Sequence, residues 1–136
     1  MSTSLAEQQQ QKRKHVFVVN GDPSFLDFMR ELLQSERYNV TTTNFVPRTF
    51  DQIVALQPDL IVIDLAVHIR AGWDLLAALQ GEAMTHGIPI IVTSTNQSLL
   101  DQAQTNQERS GSHRYIVKPF DLNHLVAIID SLIGGA

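Results

Sequence analysis

Several features are scarce or absent in this sequence of 136 residues. It contains no cysteine, which excludes disulfide bonds and thiolate metal sites. No apolar run approaches the roughly 18 residues that a membrane-spanning helix needs, and the polar start of the chain, Met1–Gln11, lacks the apolar core of a signal peptide. Positive charge is also scarce: 10 Lys and Arg stand against 14 Asp and Glu, whereas domains that bind duplex DNA are usually basic. These absences predict a cytoplasmic domain whose partners are neither membranes nor nucleic acids.

The length and the apolar content of 43% suit a single domain with a core of its own. Residues 1–14 are rich in Ser and Gln, show no periodicity and end in a basic patch, Lys12–Lys14. They are predicted to form a flexible polar tail. The folded domain is predicted to span residues 15–134.

Short apolar runs alternate with amphipathic segments along this domain. The runs are rich in β-branched residues and have the length of buried parallel strands. They cover His15–Val19, Tyr38–Thr43, Leu60–Ile63, Ile88–Thr93 and Tyr115–Val117. Five alternations of strand and helix predict an α/β fold, in which helices cover both faces of a parallel sheet. The pattern alone leaves the strand order open.

The helix boundaries follow from capping residues and prolines. Four of the helices are predicted to begin at Asp22-Pro23, Pro47, Gln97 and Asp121, and the third is predicted to begin after Gly72. The fourth is predicted to end at Gln107. Asp is the predicted N-cap of the first and last helices. Helical spacing predicts inward faces made of Phe25, Phe28, Met29, Leu32 and Leu33 in the first helix and of Phe50, Ile53, Val54 and Leu56 in the second.

Reactive side chains follow the predicted strands at the point where each strand ends. Asp64 follows the third strand, Ser94 and Thr95 the fourth, and Lys118 the fifth. Because ligands of an open parallel sheet bind outside the carboxyl ends of its strands, these groups should converge. A carboxylate can act as a nucleophile towards phosphorus, while a hydroxyl and an ammonium can bind phosphate oxygens. The edge therefore suits a phosphoryl group.

These residues resemble the receiver domains of two-component response regulators over about residues 15–133. Pro58–Asp64 is similar to the family's approach to its phosphorylated aspartate, and Gly72 lies at the family's spacing behind it. Ile88–Ser94 matches the fourth strand and its Ser/Thr, and Tyr115–Phe120 matches the family's aromatic, lysine and proline run. The resemblance implies a flavodoxin-like, doubly wound five-stranded sheet of order 2-1-3-4-5.

The resemblance also implies a role for each residue of the site. Asp64 would be the phosphoacceptor, supplied by a histidine kinase or a phosphotransfer protein. Ser94 would be the switch hydroxyl, Tyr115 the aromatic that follows it inward, and Lys118 the cation that binds the acyl phosphate. A cis peptide bond before Pro119 would aim that lysine into the pocket. Thr95 stands where the family prefers a very small residue, so that access to the phosphate would be narrowed.

The sequence departs from the family where a metal ion should bind. The family usually places two acidic residues directly after the first strand to hold Mg²⁺ or Mn²⁺, but Asn20 and Gly21 stand there. Asp22 comes one residue later and is expected chiefly to cap the helix. Mg²⁺ is usually bound by carboxylates, so a site formed by Asp64, with a possible contribution from Asp22, should bind it weakly. His68 and Arg70 could add positive charge, but a solvated loop is the preferred interpretation.

Three classes of function follow from this pattern. The first is a single-domain receiver, not an enzyme, in which Asp64 is phosphorylated weakly or the chain acts by protein contact alone. The second is a phosphatase with Asp64 as its nucleophile, but Ala66 stands where such enzymes need a second acid. The third is a flavin-binding domain, but the first loop, Asn20–Pro23, lacks a phosphate-cradling composition.

The predicted output surface combines the fourth helix, the fifth strand and the fifth helix. It would present Leu99, Leu100, Tyr115 and His124 to a downstream protein or to a second copy of the chain. Because the last helix ends near Ala136, the output is expected to act on a partner in trans.

Overall fold

The structure, a computed structural model, describes residues 13–66, 69–106 and 113–134. Within these ranges five strands alternate with five helices. The strands are β1 (His15–Val19), β2 (Asn39–Thr43), β3 (Leu60–Asp64), β4 (Ile90–Ser94) and β5 (Arg114–Val117). The helices are α1 (Pro23–Ser35), α2 (Thr49–Leu56), α3 (Arg70–Gly81), α4 (Gln97–Asn106) and α5 (Leu122–Ile133). Most of the predicted tail and the predicted helix end at Gln107 lie outside the described residues.

The strands form one parallel sheet of order β2-β1-β3-β4-β5. This order confirms the flavodoxin-like arrangement that the resemblance implied. It places β3, which ends in Asp64, at the centre of the sheet, between β1 and β4. Parallel pairing brings the carboxyl ends of all five strands to one edge.

Two apolar cores cover the two faces of the sheet. Alternation along β1 sends Val16 and Val18 to one face and Phe17 and Val19 to the other. The first face is covered by α1 and α5, and the second by α2, α3 and α4. The predicted α/β layering is therefore confirmed. Within the described ranges, no helix has the length and apolar character needed to cross a membrane.

The first and last helices begin at the predicted aspartates. The carboxylate of Asp22 accepts the N–H of Ser24 at 3.0 Å, and that of Asp121 accepts the N–H of Asn123 at 2.9 Å. Each contact satisfies a backbone donor that has no partner inside its helix. The capping role of Asp22 is therefore observed directly.

Several predicted boundaries and inward positions were wrong. The second helix begins at Thr49 and not at Pro47, and the third begins at Arg70 and not after Gly72. The fourth strand begins at Ile90 and not at Ile88. Phe28 is 50% exposed, because the buried stripe of α1 runs through Leu26, Met29 and Leu33 on the opposite side. Leu56, the last residue of α2, is 47% exposed, since Thr49 and Ile53 provide the buried contacts of that helix.

Candidate functional site

Asp64 and Lys118 form the centre of the carboxyl edge. The Nζ atom of Lys118 lies 2.7 Å from Oδ1 of Asp64. The Lys118 side chain is 22% exposed and that of Asp64 is 17% exposed, so the ion pair is largely screened from water. Asp64 ends the central strand β3, while Lys118 directly follows β5. The predicted convergence of these two residues is thus found in the structure.

Lys118 makes defined contacts through its backbone and through its side chain. The peptide bond between Lys118 and Pro119 is cis. The backbone N–H of Lys118 donates to the carbonyl oxygen of Ser94 at 2.8 Å. Its Nζ atom lies 5.1 Å from the ring centroid of Phe25, within the range of a cation–π contact.

The sequence interpretation missed Thr93. Its hydroxyl donates to Oδ1 of Asp64 at 2.8 Å, so that this oxygen accepts from both Thr93 and Lys118. Thr93 is fully buried and pairs with Asp64 in the register of β3 and β4. In-register neighbours in a parallel sheet point to the same face, so the pairing itself explains the contact. The sequence does show a polar residue, Thr93, at the end of a buried strand. Its contact with Asp64 could be predicted only from the register of β3 and β4.

In the described part of the chain, neither Ser94 nor Thr95 forms a hydrogen bond with Asp64. The hydroxyl of Ser94 donates to the carbonyl oxygen of Leu65 at 2.7 Å and accepts the N–H of Asn96 at 3.1 Å. Ser94 is fully buried, whereas Thr95 is exposed. The switch role of Ser94 and the narrowing role of Thr95 stay predictions.

The loop after β1 uses its polar groups to build its own structure. Asn20 is buried, and its side-chain oxygen accepts the N–H of Asp22 at 2.9 Å. Gly21 is exposed and carries no side chain. The carboxylate of Asp22 caps α1 through Ser24. One side-chain oxygen of Asn20 thus stabilises the turn, and one oxygen of Asp22 caps the helix.

These side chains form a poor site for a divalent cation. Across residues 13–66, 69–106 and 113–134, no group of three His, Asp or Glu side chains is placed to hold a metal ion. Asp64 is the one carboxylate of the ion pair, and Lys118 opposes its charge directly. Mg²⁺ keeps several waters and is usually bound through one or two carboxylates, so a single carboxylate that is already paired with a lysine should attract it poorly. The predicted contribution of Asp22 stays a prediction.

The backbone behind Asp64 packs closely against α3. A Cβ atom added to Gly72 would lie 2.9 Å from Cδ2 of Leu65 and 3.0 Å from the carbonyl oxygen of Asp64. The glycine therefore allows the first turn of α3 to approach the end of β3. Arg70 is exposed at the start of α3, and His68 lies outside the described residues.

The predicted output surface needs one correction. Leu100 is 1% exposed and belongs to the core beneath α4, because it and Ala103 form the inward stripe of that helix. Leu99 and Tyr115 are partly buried, and His124 is exposed. Burial raises the pKa of the Tyr115 hydroxyl. Leu100 therefore cannot serve as a contact residue.

Comparison with known families adds to this geometry. Residues 16–130 match the response regulator receiver domain. The chain belongs to this family. Receiver domains are signalling modules, generally not enzymes, and they interact with histidine kinases or phosphotransfer proteins. The phosphatase and flavin-binding alternatives gain no support.

The similar proteins include transcriptional regulators and isolated receiver domains. The DNA-binding response regulator MtrA of Mycolicibacterium smegmatis is 26% identical over 115 residues, which are 85% of this chain and 48% of MtrA. The DNA-binding dual master transcriptional regulator RpaA of Synechocystis is 26% identical over 118 residues, which are 87% of this chain and 48% of RpaA. This receiver thus spans about half the length of these curated relatives.

Solved receiver structures share the fold. The chemotaxis protein CheY4 of Vibrio cholerae superposes with a TM-score of 0.75 at 20% identity, over 89% of this chain and 99% of that one. The N-terminal domain of the nisin resistance regulator NsrR gives a TM-score of 0.73 at 27% identity, over 89% of this chain and 98% of that one.

Proposed function

We propose that this receiver domain signals by protein contact and that Asp64 accepts a phosphoryl group weakly or not at all. The input would be a histidine kinase or a phosphotransfer protein of a two-component phosphorelay. The output would be a change in contact with a downstream protein or with a second copy of the chain. The proposal rests chiefly on the chemistry of the loop that follows β1.

The observation that carries the proposal is the charge at the pocket. One carboxylate, Asp64, faces one ammonium, Lys118, at 2.7 Å, so the pair has a formal charge of about zero. Two acids after β1 would make the pocket negative enough to attract a divalent cation, but Asn20 and Gly21 contribute no charge. Phosphoryl transfer depends on neutralising the charge of the moving group. A pocket that attracts no cation should transfer phosphate slowly.

The hydrogen bonds of the loop support the same proposal. Asn20 could offer an oxygen to a weakly bound ion, but that oxygen accepts the N–H of Asp22 at 2.9 Å. Asp22 could move towards the pocket only by giving up its contact with Ser24. Loss of such a cap typically costs about 0.5–2 kcal/mol. Any ion bound here must compete with the hydrogen bonds that Asn20 and Asp22 already form within the loop and the helix cap.

Leu100 is buried, but the other residues of the predicted output face still form a contact surface. Tyr115 and Leu99 are partly buried there, and His124 is exposed. Val117, at the end of the edge strand β5, is 41% exposed. We propose that this face binds the downstream partner, and that a Tyr115 substitution weakens that binding.

The decisive experiment is phosphorylation of the purified chain by acetyl phosphate in the presence of Mg²⁺, followed by intact-mass spectrometry. The wild-type chain should stay largely unmodified. The double variant Asn20→Asp/Gly21→Asp should gain a phosphoryl adduct, which Asp64→Asn should abolish in the same background. No described atom lies within 4 Å of a Cβ added to Gly21, so the second acid fits without a clash.

The labelling of the wild-type chain, compared with that of the double variant, distinguishes weak phosphorylation, signalling by contact alone and failure of the proposal. An adduct that forms slowly on the wild-type chain and quickly on the double variant means weak phosphorylation. No wild-type adduct means signalling by contact alone. A wild-type chain that is labelled as fast as the double variant, at Asp64 and only with Mg²⁺, contradicts the proposal.

A further inference from the structure

The two oxygens of the Asp64 carboxylate have different surroundings. Each oxygen of an ionised carboxylate offers about two acceptor sites. Oδ1 accepts from Nζ of Lys118 at 2.7 Å and from the hydroxyl of Thr93 at 2.8 Å. In the part of the chain that the structure describes, these are the polar contacts of the Asp64 side chain. Both acceptor sites of Oδ1 are therefore filled, while no described group donates a hydrogen bond to Oδ2.

We propose that Thr93 is a positioning residue that keeps Oδ1 of Asp64 closed, so that Oδ2 is the one oxygen open to a cation or to a phosphoryl group. The inference rests on the proposed function, because it takes Asp64 as the acceptor of a receiver pocket. It adds an obstacle to metal binding that is separate from the loss of acids after β1. It thus assigns a role to a residue of β4.

The placement of Thr93 makes this contact persistent. Thr93 is fully buried, and its backbone is held in β4 in register with Asp64. Among the described residues, the hydrogen-bond partner of its hydroxyl is the Asp64 carboxylate. If Asp64 turned away, the hydroxyl would be left buried without an acceptor, which is unfavourable. The resting geometry of Asp64 is therefore stabilised from within the sheet.

This geometry sets a conflict between two uses of the carboxylate. A carboxylate that binds a cation beside a phosphoryl group has to offer one oxygen to each. With both acceptor sites of Oδ1 filled, cation and phosphoryl group would compete for Oδ2. Removal of the Thr93 hydroxyl frees one site on Oδ1, whereas retention of the hydroxyl keeps it closed.

The experiment uses a matched pair of variants in the background with restored acids, Asn20→Asp/Gly21→Asp. Thr93→Val keeps the shape of the side chain and removes the hydroxyl, while Thr93→Ser keeps the hydroxyl. Isothermal titration with Mg²⁺ should show binding about 2- to 10-fold tighter for Thr93→Val, as the net worth of one hydrogen bond implies. The affinity of Thr93→Ser should stay close to that of the parent. Unchanged affinity in Thr93→Val, or equal tightening in both variants, overturns the proposal.

If the Asn20→Asp/Gly21→Asp background binds no Mg²⁺, a second measurement still tests the proposal. In the wild-type background, NMR couplings report the χ1 rotamers of Asp64. Thr93→Val should convert a single rotamer into an average, and Thr93→Ser should not. Identical rotamer populations in Thr93→Val and wild type overturn the proposal. The proposed function is judged separately, by labelling of the wild-type chain with acetyl phosphate, so either claim can fail while the other stands.

Discussion

At the scale of single residues, the pocket depends on positions that carry no charge as much as on the ion pair. Thr93 fills one acceptor site of Asp64, and Asn20 ties its own oxygen to the loop. Gly72 lets α3 approach the carbonyl oxygen of Asp64. Each of these residues shapes the pocket by what its side chain contacts or leaves empty.

Gly72→Ala should destabilise the domain although alanine favours helices. The added Cβ would lie 2.9 Å from the Leu65 side chain and 3.0 Å from a backbone oxygen that cannot move freely. We expect a loss of about 1–3 kcal/mol in the free energy of unfolding, which is typical of overpacking. Urea denaturation measures this loss.

Gly81→Ala in the same helix is the matched control. No described atom lies within 4 Å of a Cβ at Gly81, so only the helix propensity changes, and stability should hold or rise by up to about 1 kcal/mol. Equal stability changes in the two variants would contradict the close-approach explanation of Gly72.

His113 should make the stability depend on pH. The ring is buried, and its Nδ1 accepts the N–H of Ile90 at 3.1 Å, which requires an unprotonated Nδ1. Burial lowers the pKa of His113 from its usual 6.5. The unfolded chain therefore binds the proton more readily, and the free energy of unfolding should fall as the pH drops below about 6.5. Above that pH the contribution is fully present.

The test compares urea denaturation at about pH 7.5 and about pH 5.5, on either side of the usual pKa of histidine. His113→Asn places an acceptor near the position of Nδ1 but does not titrate, so its stability should decline less between the two pH values. Burial also lowers the pKa of His15, which remains in both proteins and leaves a shared pH dependence. The same decline in both proteins would rule out His113 as a source.

At the scale of elements, the end of α1 is built by a non-glycine residue in a left-handed conformation. Arg37 has φ 70°, its N–H donates to Gln34 O at 3.0 Å, and the N–H of Tyr38 donates to Leu33 O at 3.0 Å. These two bonds form a Schellman motif, and Leu33 and Tyr38 both belong to the core cluster beneath it. Glycine is the usual residue at the position of Arg37.

Arg37→Gly should therefore stabilise the domain. A left-handed conformation costs a non-glycine residue about 1–2 kcal/mol, and the larger entropy of glycine in the unfolded chain offsets part of that gain. We expect a net increase of about 0.5–1 kcal/mol in the free energy of unfolding. Arg37→Ala, which keeps the strained backbone, should show no comparable increase in a urea titration. A gain in both variants would point to the lost side chain and not to the backbone.

The existence and type of these elements could be predicted from the sequence, because β-branched runs and Asp caps are local signals. Which side of a helix faces the core was less predictable. Phe28 and Leu100 are both large and apolar, yet one is half exposed and the other buried. Which apolar stripe packs inward depends on how each helix is rotated about its axis against the sheet. The spacing of apolar residues along the helix does not determine that rotation.

At the scale of the whole molecule, the topology explains why the candidate site could be predicted in part. Asp64 and Lys118 follow different strands, and the parallel sheet brings both strand ends to one edge. The contact of Thr93 depends on the register of β3 and β4, and the local bonding of Ser94 depends on the loop after β3. Neither register nor loop geometry is encoded in residue spacing. The replacement of the acidic pair by Asn20-Gly21, by contrast, is visible in the sequence itself.

The central claim is that the Asp64 pocket of this receiver does not respond to Mg²⁺ and a phosphoryl mimic as a metal-dependent receiver would. The most direct test is an amide NMR titration of the wild-type chain with Mg²⁺ and beryllofluoride. The account predicts that shifts at Asp64, Ser94 and Lys118 in the wild-type chain are absent, or saturate only at concentrations far above those that saturate the Asn20→Asp/Gly21→Asp variant. Wild-type shifts that saturate at the same concentrations as those of the variant, and that disappear in Asp64→Asn, would contradict it.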